Sequence, residues 1–439
     1  MKKTRKNIQA IFENKSLMKK IIFTLIMLAV YRFLVIIPVP FVNVSTLMDA
    51  TINANSGIGY FVMLLGGSLK NFSIVAIGLA PFINASIIMQ LLGSVVPKLE
   101  ELTEQWEQWQ IKIQQYTRYL SVPLAFVQGI GMVFFINHLL WGNVIETTTL
   151  NIVLTALSMT AGSVLIMRIG ELITEKWVSN GISLLIFSSI VAGITQKVYG
   201  SLSGSSGNFR GVFTFMIVLV LVLILLSIFI LKSIKEIPIV YARKWKVEET
   251  SVLPIPLNPV GMIPIIFAIA FVTFPYLLGK VFAQVNPSNI KLASFSNRVE
   301  AHLNIYSQNP SGWVVALYFV LIVAFTFFYT MIQFSPEKIA DNVQKRWWFV
   351  PWIRPGKETV KYLNKILVHL SFWWGIGLAI IGVYTYVIDD LPFIKDVIQS
   401  LGSLPVVVTG SGIIIIVWVV QDLINQVQAE ILMKKYEKI

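Results

Sequence analysis

Phe72-Ser73-Ile74-Val75-Ala76-Ile77-Gly78-Leu79-Ala80-Pro81-Phe82-Ile83-Asn84-Ala85-Ser86-Ile87-Ile88-Met89-Gln90-Leu91-Leu92-Gly93-Ser94-Val95 is a 24-residue run without a charged side chain. Roughly 20 mainly apolar residues, wound as a helix, cross the ~30 Å hydrocarbon core of a bilayer. This run is long enough to do so, and it is one of many. Similar stretches at residues 20–38, 116–136, 148–167, 181–195, 211–231, 258–278, 313–334, 363–387 and 404–427 bring the predicted spans to ten. The fifth, 181–195, is the shortest. Pro81 and Pro264 each interrupt an otherwise apolar span, where a missing backbone donor invites a kink.

Composition points the same way. Of 439 residues, 56% are hydrophobic and 13% charged, against about 25% charged in an ordinary soluble domain. A soluble chain of this size could not bury so much apolar surface. There is no cysteine, which excludes disulfides, thiolate metal sites and cysteine nucleophiles. His138, His302 and His369 stand singly, without the close partner a zinc motif needs. No phosphate-binding glycine loop and no carboxylate cluster at membrane depth is present. The reading is of a non-enzyme with no metal site and no cofactor.

The net charge is +13. Assigning alternate loops to opposite sides puts 27 of the 35 Lys and Arg on the side of the termini and 7 on the other, with Arg32 inside the first span. Basic residues concentrate on the cytoplasmic side of membrane proteins, so both termini are expected there. With 16 acidic residues on that side and 6 on the other, the two faces are net +11 and +1. Arg32 lies near the outer end of its span, where a long cationic side chain can snorkel to headgroups. The first apolar run follows seven basic residues and lacks a small-residue cleavage site, so no cleavable signal peptide is expected.

Between the first two spans lies Ser56-Gly57-Ile58-Gly59-Tyr60-Phe61-Val62-Met63-Leu64-Leu65-Gly66-Gly67-Ser68, apolar but too short to cross. It must be re-entrant, interfacial or packed inside the protein, because irregular backbone is not tolerated against lipid. Two charged loops, 232–257 and 335–364, are long for a helical bundle, and loops of that length usually have a role. The chain divides into an N-terminal tail (1–19), a half holding spans one to five (20–199), the sixth span with its loop (200–257), spans seven to ten (258–427) and a C-terminal tail (428–439).

Several strings are specific beyond hydropathy. Gly66-Gly67-Ser68-Leu69 with the run from Ser73 to Leu92 resembles the second-span signature of the SecY family of protein-translocation channels. So do Lys112-Ile113-Gln114-Gln115-Tyr116-Thr117-Arg118-Tyr119, Gly170-Glu171-Leu172-Ile173-Thr174-Glu175, Asn180-Gly181-Ile182-Ser183 and Asn258-Pro259-Val260-Gly261-Met262-Ile263-Pro264. Ile353-Arg354-Pro355-Gly356, with Thr359, Tyr362 and Leu363, resembles the family's last large cytoplasmic loop. The matches run in family order from Arg32 to Gln428.

The resemblance implies an all-α integral membrane protein with ten transmembrane helices. Two pseudo-symmetric five-helix halves would surround a central pore closed by a constriction and a re-entrant plug. No repeat between the halves is legible, which is usual for inverted repeats. Carried over by position, the constriction falls on Ile83 and Ile87 of the second span, Ile186 and Ile190 of the fifth, Ile266 of the seventh and Ile415 of the tenth. The i, i+4 spacing puts each of the first two pairs on one helix face. A collar of branched aliphatic side chains offers ions no ligands and dewets readily, although isoleucine is also an ordinary packing residue.

The plug is expected at about 57–67, including Gly57, Tyr60, Phe61, Leu64, Gly66 and Gly67. A lateral gate, through which apolar segments pass into lipid, is expected to involve Pro81, Gln128, Asn258 and Pro264. Its two amides would contribute interhelical hydrogen bonds of about 1 kcal/mol, or else face cytosolic water. Arg243, Lys244 and Lys246 on one long loop, with Lys345, Arg346, Arg354 and Lys357 on the other, supply cations suited to ribosomal RNA phosphates or to the acidic surface of the motor ATPase SecA. The implied partners are the small SecE and SecG subunits, SecA, the ribosome, signal peptides, nascent chains and membrane lipids. The implied location is the bacterial inner (plasma) membrane.

Trp106, Trp109, Trp177, Trp348, Trp352 and Trp374 fall where the family's pattern has glycine. One reading is that the source organism reads UGA as glycine; the other is divergence of the docking surface. The runner-up function is a polytopic secondary transporter, but such proteins usually carry ionisable residues near the bilayer centre, and these spans are nearly free of charge.

Overall fold

The computed structural model describes residues 15–42, 72–95, 106–139, 148–176, 180–204, 209–241, 251–256, 260–285, 311–334, 336–345, 348–389 and 410–436, with the isolated residues 294, 298 and 302. Each predicted apolar stretch overlaps a helix: α1 (Lys15–Ile36), α2 (Ala80–Val95), α3 (Trp106–Leu139), α4 (Thr149–Lys176), α5 (Gly181–Gly204), α6 (Phe209–Lys232), α7 (Ile263–Val285), α8 (Gly312–Gln333), α10 (Lys357–Asp389) and α11 (Gly410–Tyr436). A short amphipathic helix, α9 (Pro336–Lys345), follows α8. Among the described residues, four helices are long and apolar enough to cross a membrane by length and composition: α4, α8, α10 and α11. Shorter apolar helical segments occur in α2, α5, α6 and α7.

Helix ends depart from the apolar stretches where polar residues prolong a helix. α3 starts at Trp106 rather than 116, and α10 at Lys357 rather than 363. α2 departs the other way. Residues 72–79 form turns, Gly78 has φ +62°, and Pro38 bridges Ser73 antiparallel, so the helix waits until Ala80.

The expected proline kinks are corrected. Pro81 and Pro264 are each the second residue of a helix, α2 and α7, where the first-turn N–H has no intrahelical partner and the fixed φ of proline suits the start. Proline instead stands inside α3, at Pro123, and inside α7, at Pro275.

The expectation of an all-α chain also needs correction, because the two long loops fold together around a small sheet. β1 (Ile234–Tyr241) and β2 (Ser251–Pro256) form an antiparallel pair in the register Ile237↔Leu253. β3 (Trp348–Phe349) pairs with the other edge of β1, giving the order β2-β1-β3. Alternation puts Ile237 and Ile239 on one face. They join Ile255, Ala340, Val350, Leu363 and Leu367 in a core separate from that of the bundle. The chain is therefore mostly helical, with a β-containing unit built from both loops.

Among the described residues, two buried clusters of the bundle bear on the site. One joins Tyr31 and Val35 of α1, Val75 and Leu79 ahead of α2, Ile166, Ile169 and Ile173 of α4 and Leu185 of α5. The larger cluster is centred on α7, α8, α10 and α11, and it also takes Ile87 from α2 and Ile190 from α5. Side chains from both halves of the sequence thus meet in it.

Candidate functional site

All six isoleucines expected at the constriction lie in that larger cluster. Ile87, Ile190 and Ile415 are buried, at 6%, 4% and 4% exposure, while Ile83, Ile186 and Ile266 pack against them half-buried. Four helices, α2, α5, α7 and α11, bring them together.

The backbone explains how. Gly78 and Gly261 both take left-handed φ, +62° and +67°, which glycine adopts without steric cost. Each is followed three residues later by proline at the second helical position, and two residues after that by an isoleucine expected at the constriction, Ile83 or Ile266. The Ile83 N–H donates to the Leu79 carbonyl, and the Ile266 N–H to the equivalent Met262 carbonyl. α5 and α11 share a different start. Gly181 and Gly410 are their first residues, and a Cβ on either would overlap a carbonyl oxygen, that of Gly170 on α4 or of Ile381 on α10. Ile186 and Ile415 again follow five residues on. In all four helices the isoleucine therefore sits in the first two turns, beyond a glycine that sets where the helix begins.

This regularity was the missed signal in the sequence. Gly78-Leu79-Ala80-Pro81-Phe82-Ile83 and Gly261-Met262-Ile263-Pro264-Ile265-Ile266 are a local repeat between the two halves.

Of the expected gate residues, Pro81 and Pro264 are buried. Gln128 is 7% exposed, so it does not face cytosolic water, and neither amide atom has a hydrogen-bond partner among the described residues. An unmet buried amide costs about 1–3 kcal/mol. Asn258 lies outside the described residues, as do Gly57, Tyr60, Phe61, Leu64, Gly66 and Gly67 of the expected plug. α7 packs against both α2 and α3.

Three of the quoted strings meet at one end of α3, α4 and α5. Arg118 of α3 pairs with Glu171 of α4, which also takes Arg168 at 3.1 Å. Asn180 caps α5, its Oδ1 accepting from the N–H of Ile182 at 3.1 Å. Thr174 Oγ1 accepts the Gly181 N–H at 2.8 Å.

On the long-loop unit, Lys345, Arg354 and Lys357 are exposed. Arg243, Lys244, Lys246 and Arg346 lie outside the described residues. The Arg354 turn is fixed from below, where buried Thr359 donates from Oγ1 to the Arg354 carbonyl at 2.9 Å. Beside it Trp352 is fully exposed with φ +67°, a geometry uncommon for any residue but glycine. Trp374 is buried and its indole N–H lacks a partner among the described residues. Trp106 and Trp109 begin α3 and Trp348 lies in β3, while Trp177 is outside the described residues.

Arg32 does not snorkel outward: its guanidinium turns inward, donating to the carbonyl and hydroxyl oxygens of Ser188 on α5. Among the described residues no group of three or more His, Asp and Glu side chains could hold a metal ion.

The family model described as SecY matches residues 73–424. The chain is 35% identical to the protein translocase subunit SecY of Corynebacterium glutamicum over 97% of its own length and 98% of the relative's. It is 34% identical to that of Staphylococcus carnosus over 97% of both. Among solved structures, "The structure of a protein conducting channel" matches with TM-score 0.62 and 16% identity, covering 93% of this chain and 91% of the other. A second, concerning the plug domain of the SecY protein, matches with TM-score 0.60 over the same shares; at 16% identity the likeness is one of fold. With most of its length matched by the family model and by full-length relatives, the chain belongs to the SecY family.

Proposed function

We propose that Ile83, Ile87, Ile186, Ile190, Ile266 and Ile415 form the collar of a protein-conducting channel. The chain is a channel subunit of a protein translocase, not an enzyme, and it is a membrane protein. It passes unfolded secretory polypeptides across the membrane and releases apolar segments sideways into lipid. The observation that carries the collar is that four helix starts, two from each half, deliver isoleucines to one buried cluster. Such a cluster excludes water and ions at rest, and it yields to a flexible chain because the aliphatic side chains of the six isoleucines can form neither hydrogen bonds nor ion pairs.

In this reading residues 57–67 are the plug, and the α2–α3–α7 contact, with Pro81, Gln128, Asn258 and Pro264, is the lateral gate. The unmet amide of Gln128 favours a contact that opens. The β-containing unit is the docking platform for SecA and for ribosomal RNA phosphates, with Arg354 on a turn that Thr359 holds. SecE and SecG complete the complex, signal peptides and nascent chains are its cargo, and it lies in the bacterial plasma membrane with both termini cytoplasmic. The transporter reading gains no support from the family.

Photo-crosslinkers placed at Ile87 and Ile190 in the reconstituted complex test the reading with an arrested secretory chain. Adducts at both positions are expected. Adducts confined to outward-facing positions such as Leu225 and Phe229, which are 66% and 73% exposed, would overturn it.

A further inference from the structure

Ser188 and Ser189 lie on α5 between the collar residues Ile186 and Ile190, and both are held from α1. The phenol oxygen of buried Tyr31 is 2.5 Å from Ser189 Oγ. The neighbouring Arg32 donates to the Ser188 carbonyl oxygen and, at 3.0 Å, to its Oγ. The Arg32 guanidinium lies 5.3 Å from the centroid of the Tyr31 ring, so the two side chains brace each other. Tyr31 also belongs to the α1–α4–α5 cluster on which Ile83 and Ile186 pack.

The chemistry makes this hold on α5 difficult to exchange for another. A helix carbonyl keeps a second lone pair after accepting its own intrahelical bond, and one guanidinium nitrogen of Arg32, with two N–H donors, reaches the carbonyl and the hydroxyl of Ser188 together. Charge-assisted hydrogen bonds are roughly twice as strong as neutral ones. α5 is thus fixed laterally and along its axis at the turn that carries two of the six collar residues.

We infer that Tyr31 and Arg32 are positioning residues for the collar: by holding the Ser188–Ser189 turn they set where Ile186 and Ile190 stand and how tightly the resting channel seals. The inference rests on the collar reading but adds a device on a helix that contributes no collar residue.

The test uses the full chain in complex with its partner subunits. Resting ion conductance in planar bilayers is measured for Tyr31→Phe, Arg32→Gln, Arg32→Lys and Ser189→Ala beside Ile186→Ser. Because the chain has no cysteine, Phe33→Cys and Val191→Cys, both exposed positions, also take a spin-label pair that reports the α1–α5 distance. Tyr31→Phe and Arg32→Gln are expected to raise conductance several-fold and to broaden the distance distribution, with Arg32→Lys intermediate. Tyr31→Phe combined with Ser189→Ala should leak no more than either alone. Should Arg32→Gln lower the amount of complex, Ser188→Ala, which removes the hydroxyl that Arg32 contacts, and Ser189→Ala, which removes the one that Tyr31 contacts, keep the test decisive. A leaky Ile186→Ser beside tight Tyr31→Phe, Arg32→Gln and Ser189→Ala variants with an unchanged distance would overturn the inference and leave the collar standing. A broadened distance with no leak from any variant, Ile186→Ser included, would sink the collar reading itself and with it the claim that α1 sets the seal.

Discussion

α2 and α7 open on the same six-residue pattern but rest on different supports. Ahead of α2 the chain lies backbone to backbone on α4: a Cβ at Gly162 would overlap the Ile74 carbonyl oxygen, and Ser163 Oγ donates to the Gly78 carbonyl at 2.9 Å. Gly261, ahead of α7, lies instead under the indole of Trp418 on α11. Backbone atoms cannot swing aside, whereas a side chain has other rotamers to visit. The collar thus has one member, Ile83, on a fixed start and another, Ile266, on a start that leans on something able to give. Under the lateral gate proposed between α2 and α7, the second half carries the softer joint.

The contrast can be broken most severely at Gly162. Gly162→Val drives a branched side chain into the Ile74 carbonyl and should cost about 3 kcal/mol, as overpacking does; detergent-extracted protein should show a large drop in thermal midpoint. Gly261→Ala should cost less, about 2 kcal/mol, from its left-handed φ and the displaced indole. Adding Trp418→Leu should return part of that loss, and a double variant no better than the single would remove the softer joint. Ser163→Ala leaves the Gly78 carbonyl without its side-chain donor and should cost about 1.5 kcal/mol, with no matching penalty from changes to α11. The smallest effect sharpens the comparison from outside it. Trp352 shares the φ of Gly261, +67°, so Trp352→Gly should stabilise the protein by about 1 kcal/mol. UGA codons at the six tryptophan positions would make glycine the native residue there; UGG codons would mean the strain is native.

Hydropathy made the helices legible because lipid demands long apolar runs, and it misplaced the ends of α3 and α10 because their polar turns carry no such signal. The hairpin was read as a loop because Lys235, Glu236, Pro238 and Pro254 mask the alternation of Ile237, Ile239 and Ile255. The collar isoleucines were legible only through family strings, since isoleucine at i, i+4 is what any apolar helix presents. The repeat that organises them, glycine five residues ahead of one isoleucine on each of the four helices, is too sparse to stand out until φ values and helix starts align it. The hold of Tyr31 and Arg32 on α5 was not legible at all, because it joins residues about 157 positions apart by hydrogen bonds that no periodicity encodes.

The most direct measurement is the resting conductance of the complex carrying Ile83→Ser together with Ile266→Ser, the paired residues of the two equivalent helix starts. Trp373→Ser, a change at an outward-facing aromatic side chain, is the control. A collar built from those starts leaks ions in the double variant and stays closed in the control. A double variant that folds, reaches the membrane and remains as tight as the unaltered channel would contradict it.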